Sequence, residues 1–231
     1  MFENEAECSC QDCLKRNPIF NTLNFSQIEQ VSLTKFTTKY KPGQTIFKQG
    51  TILTHILSLT GGLAKISIEG YNDRNLLLKI AKAGEFIGGP GLFTDKKMHY
   101  TVTALTECYG CFIDVQTIYD LIGENKDFTI SLFSHVNRSA IYNFNRFIAL
   151  TQKQMQGRIA DALIYLSKEI YQTTKFTMDI SRQDLADLTA MSKESAIRIL
   201  KEFKDGQIIS LHGNDIEILK PDKLNMISMT G

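Results

Sequence analysis

The sequence predicts an α+β fold in three successive parts, and three observations carry that expectation. From Phe25 to about Val115, short β-branched and aromatic runs alternate with glycine-bearing turns, the pattern of a sandwich or small barrel built from many short strands. After Asp114 the apolar spacing lengthens to that of a helix, with Phe133, Ala140 and Phe147 falling seven apart. From Ile180 to Gly213 the string ISRQDLADLTAMSKESAIRILKEFKDGQIISLHG reads as two short helices followed by a hairpin. These breaks divide the chain into a cysteine-bearing segment (1–24), a strand-rich domain (25–124), a long helix (125–155) and a terminal helical domain (156–231). With 231 residues, 43% of them hydrophobic, the chain can build two modest cores.

The N-terminal segment contains CSCQDCL, which places Cys8, Cys10 and Cys13 in a polar stretch that core packing explains poorly. Thiolates bind soft metals and iron–sulfur clusters, but a closed site normally takes four ligands. The remaining cysteines are Cys108 and Cys111, in ALTECYGCFIDV. Ligation, reversible disulfide formation and idle thiols are all open on this reading. An odd total of five in a chain of this size is not a secreted disulfide framework.

A short helix over Ser26 to Leu33 leads into the strands. Tyr40 to Gly50 reads as a turn, a strand and a turn, with Pro42 and Gly43 setting the first reversal and Gly50 the second. Ile56 to Ile68 supplies two strands broken at Gly61-Gly62; Leu76 to Ile80 is a further run, and Tyr100 to Val115 adds two more. In the long helix, Ile130, Asn137, Phe144 and Thr151 form a second series beside Phe133, Ala140 and Phe147, and together they make a coiled-coil seam in which a polar Asn137 would set register. We therefore expect a dimerisation helix, the alternative being a helix packed wholly within its own subunit. Gly157, in Gln156-Gly157-Arg158-Ile159-Ala160, marks an expected hinge, and Pro221 to Leu224 is expected to close the last domain.

In that domain Ser181 stands as an N-cap with Asp184 three residues on, and Leu185, Ala186 and Leu188 form a buried side. Ser192 caps a second helix whose Ala196, Ile199, Leu200 and Phe203 recur at helical spacing, leaving Lys193, Glu194, Ile197, Arg198 and Lys201 outward. Glu194 and Arg198, four apart near the N-terminal end, suit base edges in a major groove: Arg can donate twice to guanine and Glu can accept from cytosine. Ser181, Arg182, Gln183, Ser192 and Ser195 lie at helix starts, where hydroxyls and backbone N–H groups favour phosphate. Taken helix by helix, a packed pair with a solvated charged face explains these residues as well.

The whole string is more specific. SRQDLADL, SKESAIRIL and GQIISLHG together resemble the winged helix-turn-helix of the CRP/FNR family of bacterial transcription regulators. On that resemblance Glu194 and Arg198 match the family's base-reading pair, and His212 matches a wing position that touches the DNA backbone. The strand-rich region resembles the family's sensor, a cyclic-nucleotide-binding jelly roll. Relatives that bind cyclic AMP carry a cassette opening Gly-Glu-apolar-apolar-Gly-Glu, whose second Glu takes the ribose hydroxyl and whose later Arg takes the phosphate. Here Gly84, Glu85, Gly88, Gly89, His99, Tyr100 and Thr101 outline the candidate effector pocket, but Gly89 replaces the second Glu and His99 replaces the Arg. At ~1.5–3 kcal/mol for each charged hydrogen bond, the loss of both partners disfavours cyclic AMP. The FNR branch carries a cluster on three N-terminal cysteines and one barrel cysteine. Cys10 and Cys13 resemble part of that motif and Cys111 falls at the barrel position, but Ile19 stands where the third N-terminal ligand would be, with Cys8 upstream instead.

The net charge of +1 makes no case for nucleic acid by itself, so any attraction for DNA must come from a local arrangement of Arg182, Lys193, Arg198 and Lys201. No apolar run approaches the ~18 residues of a membrane span, and the acidic, cysteine-bearing start does not read as a signal peptide, so we expect a cytoplasmic protein. The expected partners are double-stranded DNA with a palindromic site, a second copy of the chain and RNA polymerase, with no membrane. A cupin-like enzyme would need clustered His and carboxylate ligands, whereas His55, His99, His135 and His212 are scattered. The remaining alternative is a small-molecule-sensing module that acts on a protein partner without binding DNA.

Overall fold

The computed structural model describes residues 17–231, which form two compact units. One comprises the residues up to Glu69 together with Ile80–Ile141; the other comprises Gly70–Lys79 and Tyr142–Gly231. Cys8, Cys10 and Cys13 lie outside the described residues.

The first unit begins with Asn17, whose side chain accepts from Ile19 N at 2.9 Å, caps the short turn Pro18–Thr22 and donates to the Gly84 carbonyl. Helix α1 (Phe25–Thr34) starts with a reciprocal capping box between Asn24 and Gln27. The strands follow as β1 (Lys35–Tyr40), β2 (Thr45–Phe47), β3 (His55–Gly61), β4 (Leu63–Glu69), β5 (Asn75–Lys82), β6 (Phe86–Ile87), β7 (Thr101–Ala104) and β8 (Cys108–Asp114). They assemble into two four-stranded sheets, β1-β8-β3-β6 and β2-β7-β4-β5, the alternating strand order of a jelly roll. Phe112 pairs in register with Phe36 and Leu57, stacks on Phe36 at 5.0 Å and meets Phe47 of the other sheet edge-on at 5.6 Å, so one ring ties the two layers together. The β3–β4 turn requires glycine: Gly62 has φ +81°, and a Cβ there would lie 2.1 Å from the Glu107 carbonyl oxygen. After α2 (Val115–Glu124), Asn125 accepts from Phe128 N and donates to Thr22 O and Gln27 Oε1, anchoring the start of α3 (Lys126–Gln152).

In the second unit the chain leaves α3 at Lys153 and Gln154, the latter extended at ψ 169°, and enters α4 (Met155–Tyr165). The break therefore precedes Gly157. Instead of acting as a hinge, Gly157 is buried inside α4, where a Cβ would meet the Gly231 backbone at 2.7 Å; its smallness serves helix packing. Helix α4 runs into a π-helical turn, Leu166–Tyr171, which ends on left-handed Gln172. Strand β9 (Lys175–Thr177), α5 (Arg182–Thr189), α6 (Lys193–Asp205), β10 (Ile209–His212) and β11 (Asp215–Ile218) follow, with sheet order β10-β11-β9. Pro221 opens a full helix, α7 (Pro221–Thr230), longer than the expected closing segment. It packs on α4, and Lys153, Asp161 and Ser228 form a hydrogen-bonded cluster at that junction. Among the described residues no helix is long and apolar enough to cross a membrane.

Candidate nucleic-acid interface

The outward face of α6 is set by what its other face buries. Ala196, Ile199, Leu200 and Phe203 are almost fully covered, which turns Lys193, Glu194, Ile197, Arg198 and Lys201 to solvent, as expected. Ser192 caps the helix, its hydroxyl accepting from Ser195 N at 3.2 Å and bonding the Ser195 hydroxyl at 3.0 Å. Helix α5 starts with the predicted capping box between Ser181 and Asp184, and Gln183 donates to Asp187 at 2.8 Å. The turn between the helices places Ala190 at φ 49°, a left-handed conformation that costs a non-glycine residue roughly 1 kcal/mol or more.

That turn is held from outside. Arg158 Nη1 donates to the Thr189 and Ala190 carbonyls at 3.0 Å each, and Arg146 Nη2 donates to Leu188 O at 2.6 Å and Leu77 O at 3.3 Å. Three successive carbonyls at the C-terminal end of α5, which the helix itself leaves unsatisfied, thus receive guanidinium donors. Neither arginine stood out in the sequence, because each acts some 30 or more residues away from its position in the chain. Arg182 is likewise committed. Its guanidinium donates to the Gly213 carbonyl at the β10–β11 turn, and partial burial lowers its pKa from the ordinary value. It braces that turn as well as standing at a helix start. His212 is exposed beside the same turn, its ring nitrogen 3.3 Å from the Ser210 hydroxyl. Arg198 pairs with Glu202, one turn further along α6, and not with Glu194.

Along α3 the expected seam is solvent-facing. Ile130, Phe133, Phe144 and Phe147 remain 53%, 54%, 60% and 54% exposed, Asn137 is exposed and donates to Phe133 O at 2.9 Å, and Ala140 is half-buried. Val136, Ile141 and Ile148 widen the stripe beyond the residues singled out from spacing. Phe128 and Leu132 are the buried side of the helix.

The cassette glycines pack closely against neighbouring strands and side chains. Gly84 bonds Leu59 O at 2.7 Å, Gly88 abuts Ile56, and a Cβ on Gly89 would lie 3.2 Å from the Tyr100 hydroxyl. Burial, together with the nearby charge of half-buried Glu85, pushes the Tyr100 phenol well up. Thr101 is buried and donates to Glu69 at 2.8 Å, while Lys48 bonds the same carboxylate and holds its pKa down. His99 is not gathered with them: its side chain is nearly half exposed and bonds Asp95 at 2.9 Å, lowering that carboxyl's pKa. The two strand cysteines, three apart on β8, face opposite ways. Cys108 is buried, donates to Leu63 O at 3.1 Å and has its pKa raised by burial; Cys111 is half-buried and lies 3.8 Å from Thr37 Oγ1. No group of three or more metal-binding side chains occurs among the described residues.

Two family models match this architecture: a cyclic nucleotide-binding domain over residues 37–125 and a Crp-like helix-turn-helix domain over residues 157–227, together well over half of the chain. The chain belongs to the CRP/FNR family of transcription regulators. It is 28% identical over 184 residues to the cAMP-activated global transcriptional regulator CRP of Salmonella typhimurium, covering 78% of this chain and 88% of that one. It is 24% identical over 223 residues to the fumarate and nitrate reduction regulatory protein of Vibrio cholerae, covering 93% and 88%. FixK2 from Bradyrhizobium japonicum has the same fold, with a TM-score of 0.78 over 85% of this chain and 98% of that one at 13% identity. As a CRP/FNR regulator the protein is a sequence-specific DNA-binding transcription factor, and the family is one of regulators, not enzymes. Its members bind DNA and act as dimers.

Proposed function

We propose that two copies of this CRP/FNR regulator pair through α3 and present their α6 helices to two half-sites of a palindromic DNA sequence, and that a signal at the sensor domain controls this binding in the cytoplasm. The observation that carries the reading is the combination on α6 of a fully buried apolar side with an outward Lys193, Glu194, Arg198 and Lys201. Arg198 reads guanine and Glu194 accepts from cytosine on the complementary strand, with Lys193 and Ser195 in support. Ser181, Gln183 and Ser192 at the helix starts and His212 at the wing address phosphates; Arg182 contributes while bracing the wing turn. The exposed Phe-rich stripe of α3 supplies the two-fold contact that half-sites one helical turn apart require. RNA polymerase is the partner through which regulation would act.

Cyclic AMP is disfavoured as the signal, because Gly89 faces the Tyr100 ring and His99 is nearly half exposed, where cyclic-AMP binders use Glu and Arg. A thiol-based signal fits better. Cys111 is half-buried and has a hydroxyl neighbour, and together with Cys8, Cys10 and Cys13 it would complete a four-thiolate set of the kind that holds an iron–sulfur cluster. The same sulfurs could instead close a reversible disulfide.

The test is selection from a genomic DNA library by protein purified without oxygen and again after air exposure, with iron content and visible absorption measured in both states. A palindromic site is expected, and Arg198→Ala should cost ~1–3 kcal/mol of discrimination at one base pair. Equal losses on specific and random DNA would remove the base-reading role. An air-labile, iron-bearing chromophore lost in Cys111→Ser supports the cluster; colourless protein with mass evidence for a bridge supports the disulfide.

A further inference from the structure

We infer that Glu202 is a specificity-determining residue, a carboxylate that orients Arg198 for base reading; this rests on the assignment of Arg198 as the base reader. Two carboxylates flank Arg198 at equal spacing on α6, Glu194 one turn before it and Glu202 one turn after, and the guanidinium chooses Glu202. The bond uses Nη1, so the edge carrying Nε and Nη2 stays free. That edge is itself a two-donor fork and can address the O6 and N7 of guanine side-on while Nη1 remains held.

The choice of partner has two consequences. Glu194 is left exposed at the N-terminal end of the helix, free for its own base contact instead of being neutralised by its neighbour. Arg198, about half exposed and otherwise among the most flexible of side chains, has its long torsions restrained before DNA arrives, so less freedom is lost on binding. Glu202 is itself about half exposed, sits on the solvent side of α6 and is not one of the buried residues Ala196, Ile199, Leu200 and Phe203 that hold the helix in place. Its part in the protein is therefore separable from folding. A carboxylate close to the DNA surface also repels phosphate, so retaining one here costs non-specific affinity in exchange for a directed Arg.

The experiment is a double-mutant cycle of Arg198→Ala and Glu202→Ala on the full-length protein. Competition binding is measured against the selected palindrome, the same palindrome altered only at the Arg198 base pair, and random duplex. Glu202→Ala should lower discrimination at that one base pair by about twofold or more, twofold being the worth of an exposed i,i+4 pair alone. It should leave random-duplex binding equal or tighter and leave the melting temperature unchanged. Glu202→Gln, which keeps an acceptor, should recover part of the discrimination. In the Arg198→Ala background, Glu202→Ala should change discrimination no further. An undiminished effect in that background, or a uniform change at every base pair, overturns the orienting role. Failure of the wild-type protein to select any site would instead sink the base-reading assignment, and the two failures are told apart by the wild-type measurement alone.

Discussion

Replacing Phe144 with alanine should break the dimer while leaving the protomer folded. Phe144 is 60% exposed, and a buried Phe covers ~150–250 Å² in all, so about 100 Å² of ring is left for a partner to cover. At ~25 cal/mol/Å² that is roughly 2.5–3 kcal/mol per protomer. A two-fold interface uses the residue twice, and alanine keeps part of the contact, so the net loss should be about 4 kcal/mol, near a thousandfold in the dimer dissociation constant. The helix stays attached to its own subunit through Phe128 and Leu132, which the substitution does not touch. Sedimentation equilibrium from nanomolar to tens of micromolar, with circular dichroism as the folding control, reads the change directly. DNA binding should fall in parallel, because a monomer engages one half-site only. A dimer constant within tenfold of wild type, or a wild type that is monomeric at tens of micromolar, would refute the seam.

Other expectations follow from individual contacts. Arg158→Ala removes both donors from the Thr189 and Ala190 carbonyls and should cost about 2–3 kcal/mol of stability in the C-terminal unit, visible as a lowered melting temperature with DNA affinity falling too. Ala190→Gly should raise that melting temperature slightly, because glycine occupies φ 49° without the ~1 kcal/mol penalty of a side chain. A thiol alkylating agent followed by mass spectrometry should label Cys111 in the folded protein and Cys108 only on denaturation. Cys108 is buried and its raised pKa keeps it a thiol; since the folded state holds that proton more tightly than the unfolded chain, its contribution to stability is present below the unfolded thiol pKa and is lost as pH rises through the folded one.

Much of the candidate interface is legible in the sequence, because it depends on neighbours along the chain. Ser181 with Asp184, and Ser192 with Ser195, are caps whose geometry is complete within four residues, and the buried set Ala196, Ile199, Leu200 and Phe203 follows from 3.6 residues per turn. The exposed stripe of α3 was legible for the same reason, although Val136, Ile141 and Ile148 show it to be broader than the heptad alone suggests. The expectation of a hinge at Gly157 failed because a glycine inside a helix can mark either flexibility or close packing, and only the approach of the Gly231 backbone distinguishes them.

By itself, then, the sequence determined the succession of strand-rich region, long helix and paired helices with a hairpin, the two faces of α6 and the absence of the Glu and Arg found in cyclic-AMP-binding relatives, while strands β1, β6 and β9 and helix α7 were not separately legible. Those properties are written into the period of the backbone and the chemistry of single side chains. Only the tertiary structure decided that Arg198 turns to Glu202 and not Glu194, that Arg146 and Arg158 clamp the end of α5, that Arg182 braces the wing turn, and that His99 bonds Asp95 while Tyr100 lies against Gly89. Most of these partners lie far apart along the chain, or compete at equal spacing along one helix. Which contact forms depends on how the finished fold directs each side chain, and no local pattern records that.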